Sequence, residues 1–430
     1  MVSSLLSFLA LSTTFLTFSR ALSVRPVDDD DLSALLEASE GFVAPQAASP
    51  ARSSHRLALR PRERVLAAQP VNAKVESLVD VNSPPSGPDP FDYVGDDLLS
   101  LADQVREVVD TDHPVLKMAA SHFFSLKSGK KFRPTIVMLI SRAAAAAANS
   151  GADVGDSVSY KDVDDMPSAD VYDKQRRLGQ ITEMIHTASL IHDDVLDDAE
   201  TRRGGDSVHK LYSNKVAVLA GDFLLARASV LLAQLGNVEV VETMANALDS
   251  LVTGEVMQAK AEPDDLTTFD WYMKKTYMKT ASLIACSTRS AALLGGFAST
   301  SEETVAAEKY GYHLGLAFQI VDDLLDFTQS ADLLGKPACS DLNNGQATAP
   351  ILFAAEEYPE LNAMIRRKFK QPGDVDRARK LLERSKGLER TKSLARWHAQ
   401  QAVEWLSVLP DSPARRALVK LGNRVIVRTS

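Results

Sequence analysis

The pattern Asp-Asp-x-x-Asp occurs twice in this chain, in IHDDVLDDAETRRGG (Ile191 to Gly205) and in FQIVDDLLDF (Phe318 to Phe327), each time at the end of an otherwise apolar helical run. On a helix, residues four apart share a face with Cβ atoms about 6 Å apart, so Asp193 with Asp197, and Asp194 with Asp198, form like-charged pairs that are unfavourable alone. A lone motif of this kind reads equally well as a solvated acidic helix end. Two copies in helices this apolar do not, because such helices pack inside a bundle, and acids carried there need partners or metal. If the two helices face each other, their carboxylates line opposite walls of one cavity. Hard divalent cations take carboxylate oxygens, and Mg²⁺ is usually held by one or two carboxylates together with substrate phosphates, so the pair of motifs points to a clamp for a metal-bound diphosphate.

The rest of the chain is compatible with such a bundle. From Phe91 onward it offers long apolar-periodic segments rich in Ala, Leu, Lys, Glu and Gln and few alternating β-branched runs, which predicts an all-α fold. Helices are expected over 96–109, 114–126, 133–148, 175–199, 214–235, 238–259, 267–295, 301–326 and 347–358, with several more after 374. The stretch NSGADVGDSVSYKDVDDMPSAD between them is polar and Gly/Ser/Asp-rich, hence a loop. Hydrophobic residues make up 45% of the 430, enough for one sizeable core. A formal charge of -9 gives no reason to expect nucleic acid as a partner. Two cysteines, Cys286 and Cys339, offer neither a disulfide framework nor zinc spacing.

Residues 1–90 read as targeting segment and linker, and 91–430 as the functional domain. MVSSLLSFLALSTTFLTFSRALS has an apolar core followed by Arg20 and a small-residue A-L-S, and ARSSHRLALRPRER is basic and Ser-containing. A signal followed by a transit-type segment implies a plastid reached through the secretory route, with a mitochondrial address as the alternative.

Cations accompany the acids. Arg202 and Arg203 follow the first motif, SGKKFRP supplies Lys130, Lys131 and Arg133, YMKT supplies Lys279 beside Thr280, and Lys336 lies in LGKP. Taken singly each is more often a surface charge. Together they suit a diphosphate, Arg by its planar fork of donors and Lys as a point charge.

Taken in order, GKKFRP, HTASLIHDDVLDDAETRRG, GEVMQ, YMKTASL, FQIVDDLLDF and GKPACSDLNNGQATAPILFA resemble the blocks of the trans-prenyl diphosphate synthases, and the wording around TRSAALLG, DFTQSADLLGKP and TAPILFA is similar to the solanesyl diphosphate synthases of plastids and cyanobacteria. The resemblance implies a single large helical bundle of the isoprenoid synthase type with a central cavity. It implies successive Mg²⁺-dependent head-to-tail condensation of isopentenyl diphosphate onto an allylic primer, farnesyl or geranylgeranyl diphosphate, giving a solanesyl-type chain for a quinone. By the same resemblance Asp193, Asp197 and Asp322 bind the metal, with Asp194, Asp323 and Asp326 in support. Arg202, Lys279 and Lys336 contact the allylic diphosphate, while Lys130, Arg133, His186 and Arg203 hold isopentenyl diphosphate. Gln319 lies by the allylic phosphate and Thr280 by the carbocation. A homodimer is implied, with peripheral membrane association on product release.

His186 precedes Asp193 by about two turns, on the same face, although a histidine on an apolar helix is more often a core residue. Ala188 and Ser189 sit about one turn before Asp193, where relatives with short products carry bulky aromatics; these small residues, with Ile185 further down, are read as chain-length determinants. Gln346 stands where many relatives carry the lysine of DLxxGK, which removes one phosphate cation. Alternatives are a geranylgeranyl diphosphate synthase, a noncatalytic subunit of a heteromeric synthase, which would usually have lost an acidic motif or the arginine pair, a terpene cyclase, and a helical bundle that merely binds Ca²⁺.

Overall fold

The computed structural model describes residues 87–99, 101–108, 113–125, 131–149, 165–202, 204–328 and 339–428. The expected targeting segment and the basic residues Lys130, Arg203 and Lys336 lie outside the described residues. The long elements are α1 (Phe132–Asn149), α2 (Ala169–Leu196), α3 (Asn214–Gln234), α4 (Val238–Ala259), α5 (Phe269–Thr276), α6 (Ser282–Leu294), α7 (Glu302–Thr328), α8 (Ala349–Glu357), α9 (Gly387–Trp405) and α10 (Pro413–Val427). The expected all-α class is what the structure shows.

Local chemistry starts these helices where the sequence signals it. Ser213, Asn237, Thr268 and Ser412 each accept a backbone N–H from the first turn of α3, α4, α5 and α10 through a side-chain oxygen. Such caps satisfy donors that a helix start otherwise leaves orphaned, each contributing about 1 kcal/mol. Pro413 at the start of α10 and Pro350 at that of α8 lack an N–H that would be unpaired there in any case.

The hub is α6, buried along nearly its whole length. It packs against α1, α2, α4 and α7, and its Ala285, Ser287, Ser290, Ala291 and Ala292 let the neighbours come close. Around it a continuous core runs through Ile136, Leu139, Leu178, Ile181, Leu224, Leu283, Tyr310 and Leu314. Each fully buried aliphatic side chain contributes about 1.5–3 kcal/mol. A second apolar cluster, with Leu342, Ile351, Leu361, Ile365 and Leu382, underlies the segment that follows α7.

One expectation needs correction, and one pair of strands is new. The helix anticipated over 267–295 is interrupted by a π-helical turn at Tyr277–Ala281. Close backbone approach clasps that turn from both sides: a Cβ on Gly254 of α4 would lie 2.8 Å from Lys279 Cγ, and one on Gly315 of α7 would lie 2.6 Å from Ala281 Cα. The extra residue in the turn rotates Lys279 and Thr280 relative to an unbroken helix, as π-bulges at functional sites commonly do. Beyond α2, in a stretch to which no element was assigned, Thr201–Arg202 (β1) and Gly205–Asp206 (β2) form a short antiparallel pair, Thr201 opposite Asp206 and Arg202 opposite Gly205. This pairing turns Arg202 back toward α2.

Candidate active site

Because α2 and α7 both lean on α6, their C-terminal halves stand on opposite sides of a cavity of about 1220 Å³. From α2 the cavity receives His186, Ser189, Asp193 and Asp197, spaced by three and four residues along one face. From α7 come Phe318, Gln319, Asp322 and Asp323; the π turn adds Lys279 and Thr280, α4 adds Glu255 and Gln258, and the start of α1 adds Lys131 and Arg133. The two acidic motifs therefore do share one cavity, together with Arg202.

The acids divide into two kinds. Asp193 and Asp197 face the space, whereas Asp194 is 1% exposed and does not line it: its Oδ1 accepts Arg202 Nε at 2.8 Å as well as Arg202 Nη2. The pair anchors the β turn to α2. Burial lifts the Asp194 carboxyl above the ordinary range even against the Arg202 guanidinium. In the second motif Asp322 is half-exposed on the cavity wall, while Asp326, 1% exposed, accepts the backbone N–H groups of Ser340 and Asp341 at 3.2 and 3.1 Å and starts the short helix there. Asp194 and Asp326, expected in support of metal, are thus placed as buried anchors.

Asp323 lines the cavity, but both its oxygens are taken: Tyr272 Oη donates to Oδ2 at 2.6 Å and Gln319 Nε2 to Oδ1 at 2.8 Å. Gln319 in turn accepts the Thr280 hydroxyl at 2.9 Å through Oε1, which fixes the orientation of its amide. A single chain of hydrogen bonds thereby ties the π turn to α7. Burial pushes the Asp323 carboxyl up to about 6 despite these donors.

Lys279 Nζ lies 2.8 Å from Glu255 Oε2, 3.3 Å from Asp193 Oδ1 and 3.2 Å from Gln258 Oε1. Burial works against its charge, yet Asp193 and Glu255 outweigh it and hold the ammonium above the usual lysine range. Glu255 and Asp197 are both lifted, by desolvation first and then by the Asp193 carboxylate, against the opposing Lys279 ammonium. Across the mouth, Arg133 Nη1 donates to His186 Nε2 at 2.8 Å, so the imidazole presents its acceptor nitrogen there and carries its proton on Nδ1. His186 is accordingly a wall residue and not a core histidine.

The proposed chain-length positions separate. Ser189 lines the cavity, its hydroxyl donating to the His186 carbonyl at 2.8 Å. Ala188 and Ile185 are fully buried in the hydrophobic core and do not line it. Residues that sequence reasoning left without a role include Glu255 and Gln258, whose signal was GEVMQ, Lys275, Arg424 and Arg428, which only the tertiary arrangement brings to the cavity, and Tyr272, which meets it through Asp323.

Among the described residues no three acidic, His or Cys side chains converge as a ready-made metal cage. What is present is a set of crowded carboxylates on one wall, Asp193, Asp197 and Glu255, facing Asp322 on the other. That donor set fits Mg²⁺, which takes one or two carboxylates and completes its shell with phosphate and water.

Residues 113–382, more than half of the chain, match the family model described as polyprenyl synthetase. The chain belongs to the polyprenyl synthetase family. It is 45% identical over 348 residues to solanesyl-diphosphate synthase 1, mitochondrial, of Oryza sativa subsp. japonica, covering 79% of each chain. To solanesyl diphosphate synthase 3, chloroplastic/mitochondrial, of Arabidopsis thaliana it is 45% identical, covering 79% of this chain and 80% of that one. Among solved structures, a polyprenyl synthase from Caulobacter crescentus CB15, complexed with calcium and isoprenyl diphosphate, superimposes with a TM-score of 0.68 at 29% identity, covering 81% of this chain and 99% of that one. The enzyme is a prenyltransferase, and its helical fold is that of the isoprenoid synthases.

Proposed function

We propose that this enzyme builds a long all-trans prenyl diphosphate, of solanesyl type, by repeated head-to-tail addition of isopentenyl diphosphate to an allylic primer such as farnesyl or geranylgeranyl diphosphate. The observation that carries the reading is the meeting of Asp193 and Asp197 with Asp322 across one cavity whose walls also hold Lys279, Arg202, Arg133 and His186. Relatives named as solanesyl synthases favour the long product.

In each cycle the C1–O bond of the allylic diphosphate breaks, C1 bonds to the terminal alkene carbon of isopentenyl diphosphate, and one C2 proton leaves, taken up by the released diphosphate. When bound, Mg²⁺ supplies Lewis-acid charge to the leaving diphosphate. Asp193, Asp197 and Asp322 would hold it. Lys279 and Arg202 neutralise the oxygens of the allylic diphosphate from the π turn and the β pair. Arg133 and His186 receive the second diphosphate at the start of α1, with Lys130 and Arg203 assigned there, and Lys336 to the allylic diphosphate, by resemblance. Thr280, its hydroxyl held by Gln319 Oε1 at 2.9 Å, presents a fixed oxygen dipole toward the allylic cation, and Gln319 lies by the allylic diphosphate. Such preorganised groups do not reorganise during reaction, which is why they stabilise transient charge better than water does.

The chain has its catalytic domain in 91–430, and we assign it an organelle, a plastid, from the leader-like residues 1–90. It acts as a homodimer, since α3 and α4 leave Leu219, Val230, Val252 and Val256 exposed. Incubating the purified protein with Mg²⁺, labelled isopentenyl diphosphate and each primer tests the assignment. Solanesyl-length product is expected; a C20 product would instead make it a geranylgeranyl diphosphate synthase, and no turnover with any primer would favour a noncatalytic subunit.

A further inference from the structure

Lys275 is the one lysine of α5 that the sequence did not mark for the site and that the fold nevertheless buries there, with 8% of its surface exposed. It sits one helical turn before Lys279 and lines the same cavity. Its ammonium lies 5.6 Å from the Trp271 ring centre and 6.0 Å from that of Tyr272. Among the described residues no carboxylate comes within ion-pair distance of it, and it makes no hydrogen bond. The nearby acid that would be the obvious partner, Asp323, is oriented instead by Tyr272 and Gln319, which donate to one oxygen each. A buried ammonium without a counter-ion is costly, and proteins keep one where a ligand supplies the missing charge.

We propose that Lys275 is a further substrate-binding cation, donating to the metal-held diphosphate from the second-motif side of the cavity, on the wall where Gln346 is neutral. The inference rests on the diphosphate reading above and adds to it a residue and a direction. Lys279 reaches the anion from the α2 side, where Asp193 and Glu255 hold it. Asp323, Asp341, Gln346 and Thr348 line the cavity with Lys275. The Thr348 Oγ1 of this lining residue is buried without a hydrogen-bond partner. Desolvation, reinforced by Lys279, holds the Lys275 ammonium below the usual lysine range, with Asp323 and Asp341 opposing the shift. An arriving diphosphate adds anionic charge and favours the protonated, donating form.

The test is calorimetric titration of inorganic pyrophosphate in the presence of Mg²⁺ into the wild-type protein, Lys275→Met and Lys275→Arg, with melting temperatures and steady-state constants alongside. Lys275→Met is expected to weaken pyrophosphate binding by about tenfold or more, the loss of one charge-assisted hydrogen bond, with Lys275→Arg intermediate. The KM for the allylic primer should rise in parallel while that for isopentenyl diphosphate and the Mg²⁺ concentration for half-maximal turnover stay within about twofold. Melting should hold or rise, because methionine removes a buried unpaired charge and keeps the stem. Equal pyrophosphate affinity in wild type and Lys275→Met would overturn the proposal, as would unfolding of both variants or a changed Mg²⁺ requirement at unchanged pyrophosphate affinity, either of which would make Lys275 a support for Asp323 and Asp341. Absence of pyrophosphate binding by the wild-type protein would count against the diphosphate reading itself.

Discussion

Arg428, at the end of α10, donates to Asp322 Oδ1 at 2.6 Å while its guanidinium lies 4.1 Å from the centre of the Phe318 ring. The C-terminal arginine thus occupies the carboxylate that the second acidic motif offers to metal. Asp322 is half-exposed, so solvent screens the pair and it competes only modestly. Replacing Arg428 with methionine is expected to lower the Mg²⁺ concentration for half-maximal turnover by about two- to fivefold. A Mg²⁺ titration at saturating substrates reads this directly, and an unchanged or higher requirement would show that Arg428 does not compete.

Alanine at Asp193 or Asp322 should reduce turnover by about 10²–10³-fold, the scale for deleting one preorganised electrostatic group. The fold should survive. Without Asp193, Lys279 keeps Glu255 at 2.8 Å, and the crowding that lifts Asp197 is relieved. Melting in chelator should therefore hold or rise; an unfolded variant, or near-normal turnover, would contradict the assignment.

Ser189 and Ala188 are expected to respond differently to phenylalanine. Ser189 borders the cavity, so the ring enters the path of the growing chain, and the products should shorten while the first condensation continues. Ala188 is fully buried, and a phenylalanine there overpacks the core by about 1–3 kcal/mol or more. Chain-length analysis by reversed-phase chromatography and melting curves separate the two. A Ser189→Phe enzyme that folds and still makes the full wild-type chain would place the tail elsewhere.

His313 of α7 and His398 of α9 meet Nδ1 to Nδ1 at 3.0 Å, so one imidazole donates and the other accepts, and both are neutral. Burial holds His313 down to about 3 and His398 well below the usual value, and each shift is deepened by a group that would repel the imidazolium, Lys309 at His313 and a protonated His313 at His398. The unfolded chain takes up these protons near pH 6.5 and the folded chain does not, so the unfolded state binds more protons between those values and stability falls as pH drops below about 6.5. Well below that point the loss approaches about 1.4 kcal/mol per pH unit for each imidazole. Melting should decline from pH 7 to pH 5, and His398→Gln should flatten the decline. A variant with the same pH slope as wild type would refute it.

The helical class and most helix positions were legible in the sequence because apolar period, caps and polar loops are local properties, each set by a few neighbouring residues. So were the two acidic motifs, whose spacing alone puts Asp193 and Asp197 on one face. The resemblance carried in the ordered blocks supplied the family, since motif order is also a property of the chain alone. What the sequence could not separate was which member of each motif faces the cavity. Asp194 and Asp326 look like Asp193 and Asp322 in one dimension, but the former pair accept donors from Arg202 and from the Ser340 turn and turn into the protein. The same holds for Ala188 beside Ser189: adjacent residues differ by about 100° around a helix, and only the packing of α2 decides which one meets the core. The π turn at 277–281 and the arrival of Lys275 and Arg428 at the cavity depend on contacts between segments far apart in sequence. No local pattern encodes those, because the forces that fix them, close approach at Gly254 and Gly315 and a carboxylate reached from the end of α10, exist only once the bundle has closed.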